Sequence, residues 1–269
     1  MKVSGKVIVV TGGGSGIGRA LVLRLLEMGA RVAAVDLNEN SLKETAALAA
    51  AQQDRLSLHT ASVSDHAAVD ALPGAVIAAH GAVDGVINNA GIIQPFVRLN
   101  DLGFDAIERV INVNLYGVIY MTKAFLPHLL QRPEAHIVNV SSMGGFFPVP
   151  GQSLYGASKA AVKLLTEGLY SELLATNVRV TVVFPGAIAT NISQNSGVGM
   201  PANANSEAAR SFKMTTAEKA AETLINGMEK DKFQVYIGRD SKMMNYLYRL
   251  NPRYATRFMY NQMKSLLPE

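Results

Sequence analysis

Lys6-Val7-Ile8-Val9-Val10-Thr11-Gly12-Gly13-Gly14-Ser15-Gly16-Ile17-Gly18 runs from an apolar strand through a glycine turn into a helix. The strand is read over Lys6–Val10 and the helix over Gly16–Met28. Glycine allows a tight turn and a close backbone approach, and the helix N-terminus offers free N–H groups to an anion. A glycine cluster alone is equally a plain tight turn. Strand before and helix after favour a cradle for a pyrophosphate, with Gly12, Ser15, Gly16, Ile17 and Gly18 as its binding residues.

The pattern repeats outward. Strands at Arg31–Val35, Leu56–Thr60, Val83–Asn88, His136–Val140, Val178–Phe184 and Gln234–Ile237 alternate with helices at Ser41–Gln53, Asp65–His80, Phe104–Gln131, Ser153–Ala175 and Thr216–Lys230. Pro73-Gly74 should kink or shorten the helix that contains it. Such alternation predicts an α/β fold: a doubly wound parallel sheet of Rossmann type in three layers. Right-handed crossovers place every strand's C-terminal end on one side, where open α/β sheets bind ligands. The glycine turn, Asp36, Asn89, Ser142 and Pro185-Gly186 all follow such ends.

The composition bounds the function. The chain has 269 residues, about half of them apolar, and no cysteine, so disulfides and thiolate chemistry are excluded. Its five histidines form no ligand-spaced pair, and no metal site is expected. The N-terminus runs straight into a strand without a signal-peptide core, and no apolar run reaches membrane-spanning length. A cytoplasmic protein is expected, organised as a domain over 1–238 with a C-terminal extension over 239–269. That extension carries six Lys/Arg and two acids, a net +4 that accounts for the whole chain's net charge. The charge is modest and no nucleic-acid motif occurs, so no nucleic-acid partner is expected.

Tyr155 and Lys159 are spaced to share a helix face, with Ser142 thirteen residues before the tyrosine. A nearby ammonium favours phenolate and lowers a tyrosine pKa, which suits proton exchange with an alcohol or carbonyl near neutrality. Asp36, at the end of the second strand, can accept both ribose hydroxyls of an adenosine and would repel a 2′-phosphate. No Lys or Arg lies within Gly12–Gly18, so NAD is favoured over NADP. The plain alternative is a solvated loop aspartate. Taken singly, Ser142, Tyr155, Lys159 and Asn114 also have structural explanations: a turn cap, a packed aromatic, a surface lysine and a satisfied helix carbonyl.

Thr11–Gly18, Asn88-Asn89-Ala90-Gly91, Asn114, Ser142, Tyr155-Gly156-Ala157-Ser158-Lys159 and Pro185-Gly186 occur in that order. With them the chain resembles the short-chain dehydrogenase/reductase family, over roughly residues 5–238. The resemblance implies an NAD(H)-dependent oxidoreductase that interconverts a secondary alcohol and a ketone or aldehyde. It implies Tyr155 as general acid/base, Lys159 lowering its pKa and bonding the nicotinamide ribose, Ser142 polarising the substrate oxygen, and Asn114 holding a water that links Lys159 to solvent. It implies that Asn89, Ala90 and Gly91 pass close to the adenosine. Pro185 and Gly186 would start a loop whose Ile188 backbone and Thr190 hydroxyl fix the carboxamide. Where the family usually has Asp-Val against the adenine, this chain has Ser62-Val63, a neutral substitute for that contact. A homodimer or homotetramer through the helices at 104–131 and 153–175 is implied as well. A nucleotide-sensing protein on the same fold remains the alternative from another class.

Gln94, Phe96, Met143, Phe146 and Gln152 are the candidate substrate residues, together with Ser142 and Tyr155; residues 187–206 read as a mobile lid. These stretches offer no clamp for a carboxylate or phosphate, so a hydrophobic carbonyl or alcohol is expected. The plain alternative is that Phe146 and Phe147 are simply core. Beyond the family pattern, Pro252 splits the tail into two amphipathic helices, Asp240–Leu250 and Pro252–Leu266, rich in Met and Tyr. They could cover the cleft or a neighbouring subunit, lie on a membrane surface, or pack on their own domain.

Overall fold

The computed structural model describes residues 1–198, 214–264 and 267. A seven-stranded parallel sheet, ordered β3-β2-β1-β4-β5-β6-β9, forms the middle layer. Its strands are β1 (Val7–Thr11), β2 (Arg31–Asp36), β3 (Leu56–Thr60), β4 (Gly85–Asn88), β5 (Ala135–Val140), β6 (Val178–Pro185) and β9 (Gln234–Ile237). Two short strands, β7 (Ile188–Ala189) and β8 (Thr215–Thr216), pair separately. The order reverses between β1 and β4, which opens a crevice at their C-terminal ends.

Both faces are covered because both are apolar. β1, β4 and β5 are buried along their whole length, as expected for central parallel strands. Alternate residues separate by face. Ile8 and Val10 pack with α1 (Gly16–Glu27) and α8 (Ala217–Glu229), through Leu21, Leu25, Leu224 and Met228. Val7 and Val9 pack with α3 (His66–His80) and α5 (Gly117–Leu129), through Val69, Val76, Met121 and Phe125. Each fully buried leucine or phenylalanine here contributes about 1.5–3 kcal/mol.

Three expectations are refined. α2 spans Glu39–Ala49 because Asn38 caps it through the Ser41 N–H. α3 continues through Pro73, which is buried. The helix expected over Phe104–Gln131 is three pieces: α4 (Phe104–Ile111), a π-helical turn (Asn112–Tyr116) and α5. The π turn carries Asn114. α6 (Ser153–Glu172), the short α7 (Ile192–Asn195), α9 (Arg239–Leu250) and α10 (Pro252–Met263) complete the described helices. The tail breaks at Pro252 as expected, and Asn251 caps α10. No helix among the described residues is long and apolar enough to cross a membrane.

Asp84 ties the sheet's lower edge together. Its buried carboxylate accepts the Val7 N–H at 2.9 Å and the Arg132 Nε–H at 2.8 Å. Arg132 is partly exposed and can rehydrate, so the loss is set mainly by the bonds to a charged acceptor. Asp84→Ala should lower stability by about 2 kcal/mol, read as a shift in denaturant midpoint at unchanged m-value. A shift within error of zero would remove Asp84 from the fold's supports.

Candidate active site

The crevice at the strand reversal is one continuous cavity of about 1100 Å³. That exceeds the roughly 300–1,000 Å³ of typical single-ligand pockets, leaving room for two molecules. Its wall runs from Gly12, Ser15, Gly16 and Ile17, Asp36–Ser41 and Ser62-Val63, past Asn89–Ile93, to Ser142, Met143, Tyr155 and Lys159. Pro185–Ile188, Thr190 and the C-terminal helices close it.

The glycine turn is shaped by contact. Gly12 and Gly16 hold positive φ angles of 69° and 50°. A Cβ on Gly18 would lie 1.8 Å from the Gly12 carbonyl oxygen, so only glycine lets α1 meet the turn. Ser15 stands at the N-cap of α1 without a side-chain cap bond, leaving first-turn N–H groups open to the cavity. Thr11 Oγ1 accepts the Asn89 and Ala90 N–H groups, both at 3.0 Å, which seats the strand end after β4 beside the turn. Asp36 accepts the Gly14 N–H at 2.9 Å and the Asn38 N–H at 3.0 Å. Its carboxylate is thereby fixed at the rim, where further lone pairs remain. Ser62 is turned locally: its hydroxyl meets Ser64 Oγ at 2.8 Å and accepts the Ser64 N–H. The glycine cradle, the uncapped helix start and the fixed carboxylate fit a dinucleotide.

Ser142, Tyr155 and Lys159 converge as their spacing requires. Ser142 follows β5, and its Oγ accepts the Gly144 N–H at 3.0 Å and hydrogen-bonds Tyr155. Lys159 is buried, and its Nζ donates to the Val140 carbonyl at 3.0 Å. Asn114 pairs with the Ile92 backbone on both sides, accepting its N–H and donating to its carbonyl, each at 2.9 Å. It also donates to Ser158 Oγ, so the π turn is bonded to α6.

The expected downward shift of Tyr155 is not found. Burial pushes its hydroxyl up, and the Ser142 hydrogen bond only partly opposes this. Burial also holds the Lys159 ammonium down, to about 8. The i,i+4 spacing promised a cation beside the phenol, but desolvation penalises phenolate and ammonium alike. Two groups perturbed in opposite senses within one cleft make this the candidate functional site.

Two substrate candidates are corrected. Gln94 is fully buried and lies off the cavity wall. Its Oε1 accepts the Leu154 and Tyr155 N–H groups at 2.8 and 2.9 Å, so it satisfies the free donors that begin α6. Phe146 is also off the wall, edge-on to Phe184 and Tyr236, because the Gly144-Gly145 turn directs it into the core. Phe96, Met143 and Gln152 do line the cavity. Gln152 Nε2 is committed to the Gln94 carbonyl at 2.9 Å. Of the expected lid, Asn195 donates to Ser15 Oγ at 2.8 Å and Ser196 accepts the Ile93 N–H. Residues 199–206 lie outside the described residues.

Sequence reasoning missed the residues that come from the tail. Met244, Met259, Gln262 and Met263 line the cavity, packed with Met143 and Phe147. Asp240 accepts the Ala187 N–H at 2.6 Å, fastening α9 to the loop that carries Ile188 and Thr190. The crowding is severe: a Cβ on Gly186 would lie 2.2 Å from the Asp240 carboxylate. Gly186 and Gly238 flanking one acid were the available signal, but nothing in linear order joined them. The tail therefore covers its own chain's cleft.

A family model described as short chain dehydrogenase matches residues 6–200. A Mycobacterium tuberculosis protein named as an oxidoreductase, SadH, is 40% identical over 251 residues, 91% of each chain. The Thermotoga maritima 3-oxoacyl-[acyl-carrier-protein] reductase FabG is 36% identical over 72% of this chain and 78% of its own. A short-chain dehydrogenase/reductase from Burkholderia phymatum, in complex with NAD, superimposes with a TM-score of 0.85 at 27% identity, covering 94% of this chain and 96% of its own. One from Burkholderia cenocepacia, in complex with NADP, gives 0.79 at 26% identity, over 96% and 99%. The chain belongs to the short-chain dehydrogenase/reductase family of oxidoreductases.

Lys159 gives a pH prediction. Its folded pKa near 8 lies below the ordinary 10.5, so between those values the unfolded chain holds a proton that the folded chain lacks. Stability from this group rises with pH across that window. Lys159→Met should abolish that rise, so the wild-type unfolding free energy increases relative to the variant's from about pH 8 to about pH 10. A constant offset would mean that the lysine is not desolvated.

Proposed function

We propose that the protein is an NAD(H)-dependent oxidoreductase interconverting a secondary alcohol and a ketone, or an aldehyde, on a hydrophobic substrate. The observation that carries this is Tyr155, Ser142 and Lys159 lining the same cavity as the glycine turn and Asp36, which suit a dinucleotide. The nicotinamide supplies the hydride acceptor or donor.

The chain's own residues position and manage the proton. Ser142 Oγ accepts the Gly144 N–H, which orients its hydroxyl, and a substrate oxygen would share the hydrogen bond that it now makes with Tyr155. The Tyr155 hydroxyl exchanges the proton with that oxygen, a role worth roughly 10²–10⁴ in rate. Lys159 holds positive charge beneath it. Asn114, locked to Ile92 and Ser158, keeps the π turn beside the lysine, where a water can connect it to solvent. Met143, Phe96, Val149, Met244 and Met259 offer apolar surface to the rest of the substrate. Asp36 at the adenosine end, with no cation in the glycine turn, supports NAD over NADP.

The proposed assembly is a homodimer or homotetramer in the cytoplasm. Phe104, Tyr116, Leu164 and Leu174 are exposed on α4, the π turn and the α6 region, and support contact there. A nucleotide sensor is less well supported, because it has no use for the Ser142–Tyr155 pair.

Tyr155→Phe should bind NADH as the wild type does and lose turnover by at least about 10², measured at 340 nm on hydrophobic ketones. An active variant takes the tyrosine out of the mechanism. Asp36→Ala should weaken NADH far more than NADPH in fluorescence titrations; equal losses would sink the ribose assignment.

A further inference from the structure

The two C-terminal helices have faces of opposite character. Their inner faces wall the cavity with Met244, Met259 and Met263. On α9 the exposed residues are Arg239, Lys242, Met243, Tyr246, Arg249 and Leu250, at the three- and four-residue spacing of one helix side. On α10 the exposed side holds Arg253, Arg257, Tyr260 and Lys264, with Tyr254 at its start. No Asp or Glu occurs between 241 and 264. Among the described residues, none of these six basic side chains pairs with a carboxylate. By contrast, Lys43, Lys163 and Lys219 each pair with a glutamate on their own helix.

We propose that this outward face docks on an anionic lipid surface, with α9 and α10 lying in the interface plane. Unpaired cations without an interspersed acid attract a negative surface, at about fivefold in partition per Lys or Arg near it. Apolar side chains at the helix junction distinguish lipid from an acidic protein. Leu250 is 85% exposed, Tyr246 69% and Tyr254 57%, all around the Asn251-Pro252 break. Tyrosines with an apolar ring and polar tip suit the headgroup level. A second copy is disfavoured, because two such faces would bring like charges together. Neither helix can span a bilayer. The same helices would then separate lipid from the cavity, so a substrate with a lipid-like apolar part enters beside the methionines. That last step rests on the proposed function, whereas docking does not.

The test uses the full chain and sedimentation with vesicles. Vesicles of phosphatidylcholine alone should leave it in solution. Equal parts phosphatidylcholine and phosphatidylglycerol should pellet it at low salt and release it near 1 M salt, where screening acts over about 3 Å. The triple variant Lys242→Glu/Arg253→Glu/Arg257→Glu should lower partition by at least about a hundredfold. Leu250→Asp, a change at an exposed position, should also lower it. Both variants should bind NADH as the wild type does, so a lost turnover and a lost membrane contact are read separately. Pelleting with neither vesicle, equal pelleting with both, or pelleting unchanged in both variants would overturn the proposal.

Discussion

The crossing of α6 over the loop after β5 is the constraint on which the site depends. Ser141 Oγ donates to the Lys159 carbonyl at 2.7 Å, and Lys159 Nζ donates back to the Val140 carbonyl. A Cβ on Gly145 would lie 2.8 Å from the Lys159 backbone, so glycine permits this approach. These bonds set Ser142 against Tyr155 by fixing strand end and helix together. Beneath them, Asn88 donates to Asn139 and Asn139 donates to Thr166, a buried polar ladder joining β4, β5 and α6. Such a ladder is costly unless its partners are in register, so it also specifies where α6 sits.

The first turn of α6 shows how support and function are divided. Its free N–H groups need an acceptor, and Gln94 supplies one from the loop after β4. The side chain that resembled a substrate contact is therefore a brace for Tyr155. Asn114 acts similarly by gripping both polar groups of Ile92. Gln94 and Asn114 thus hold α6 and the π turn in place around Tyr155 and Lys159.

The tail extends the same principle to the cleft's outer wall. Asp240 and Ser241 fasten α9 to Ala187 and to the Phe184 carbonyl, directly above the end of β6. Methionines then shape an adaptable apolar surface on the cavity that Ser142 and Tyr155 also line. Movement of these helices would alter the loop that carries Ile188 and Thr190 as well as the space for substrate.

The sequence by itself determined the sheet, its direction and the location of the crevice. Val/Ile runs, glycine turns and helical periods are local, and right-handed crossovers turn their order into topology. It also placed Tyr155 and Lys159 on one helix face and Ser142 at a strand end, but the crossing of α6 over the loop after β5 is what brings Ser142 to them. Tertiary structure alone decided which neighbours face the cavity. Gln94 and Phe146 turned away, since unpaired helix donors and an aromatic cluster claimed them, while Met244, Met259 and Asp240 arrived from more than eighty residues downstream of Tyr155. It also decided the direction of the Tyr155 shift. Spacing reveals the nearby cation, but desolvation is a property of the packed surroundings and is written in no local pattern.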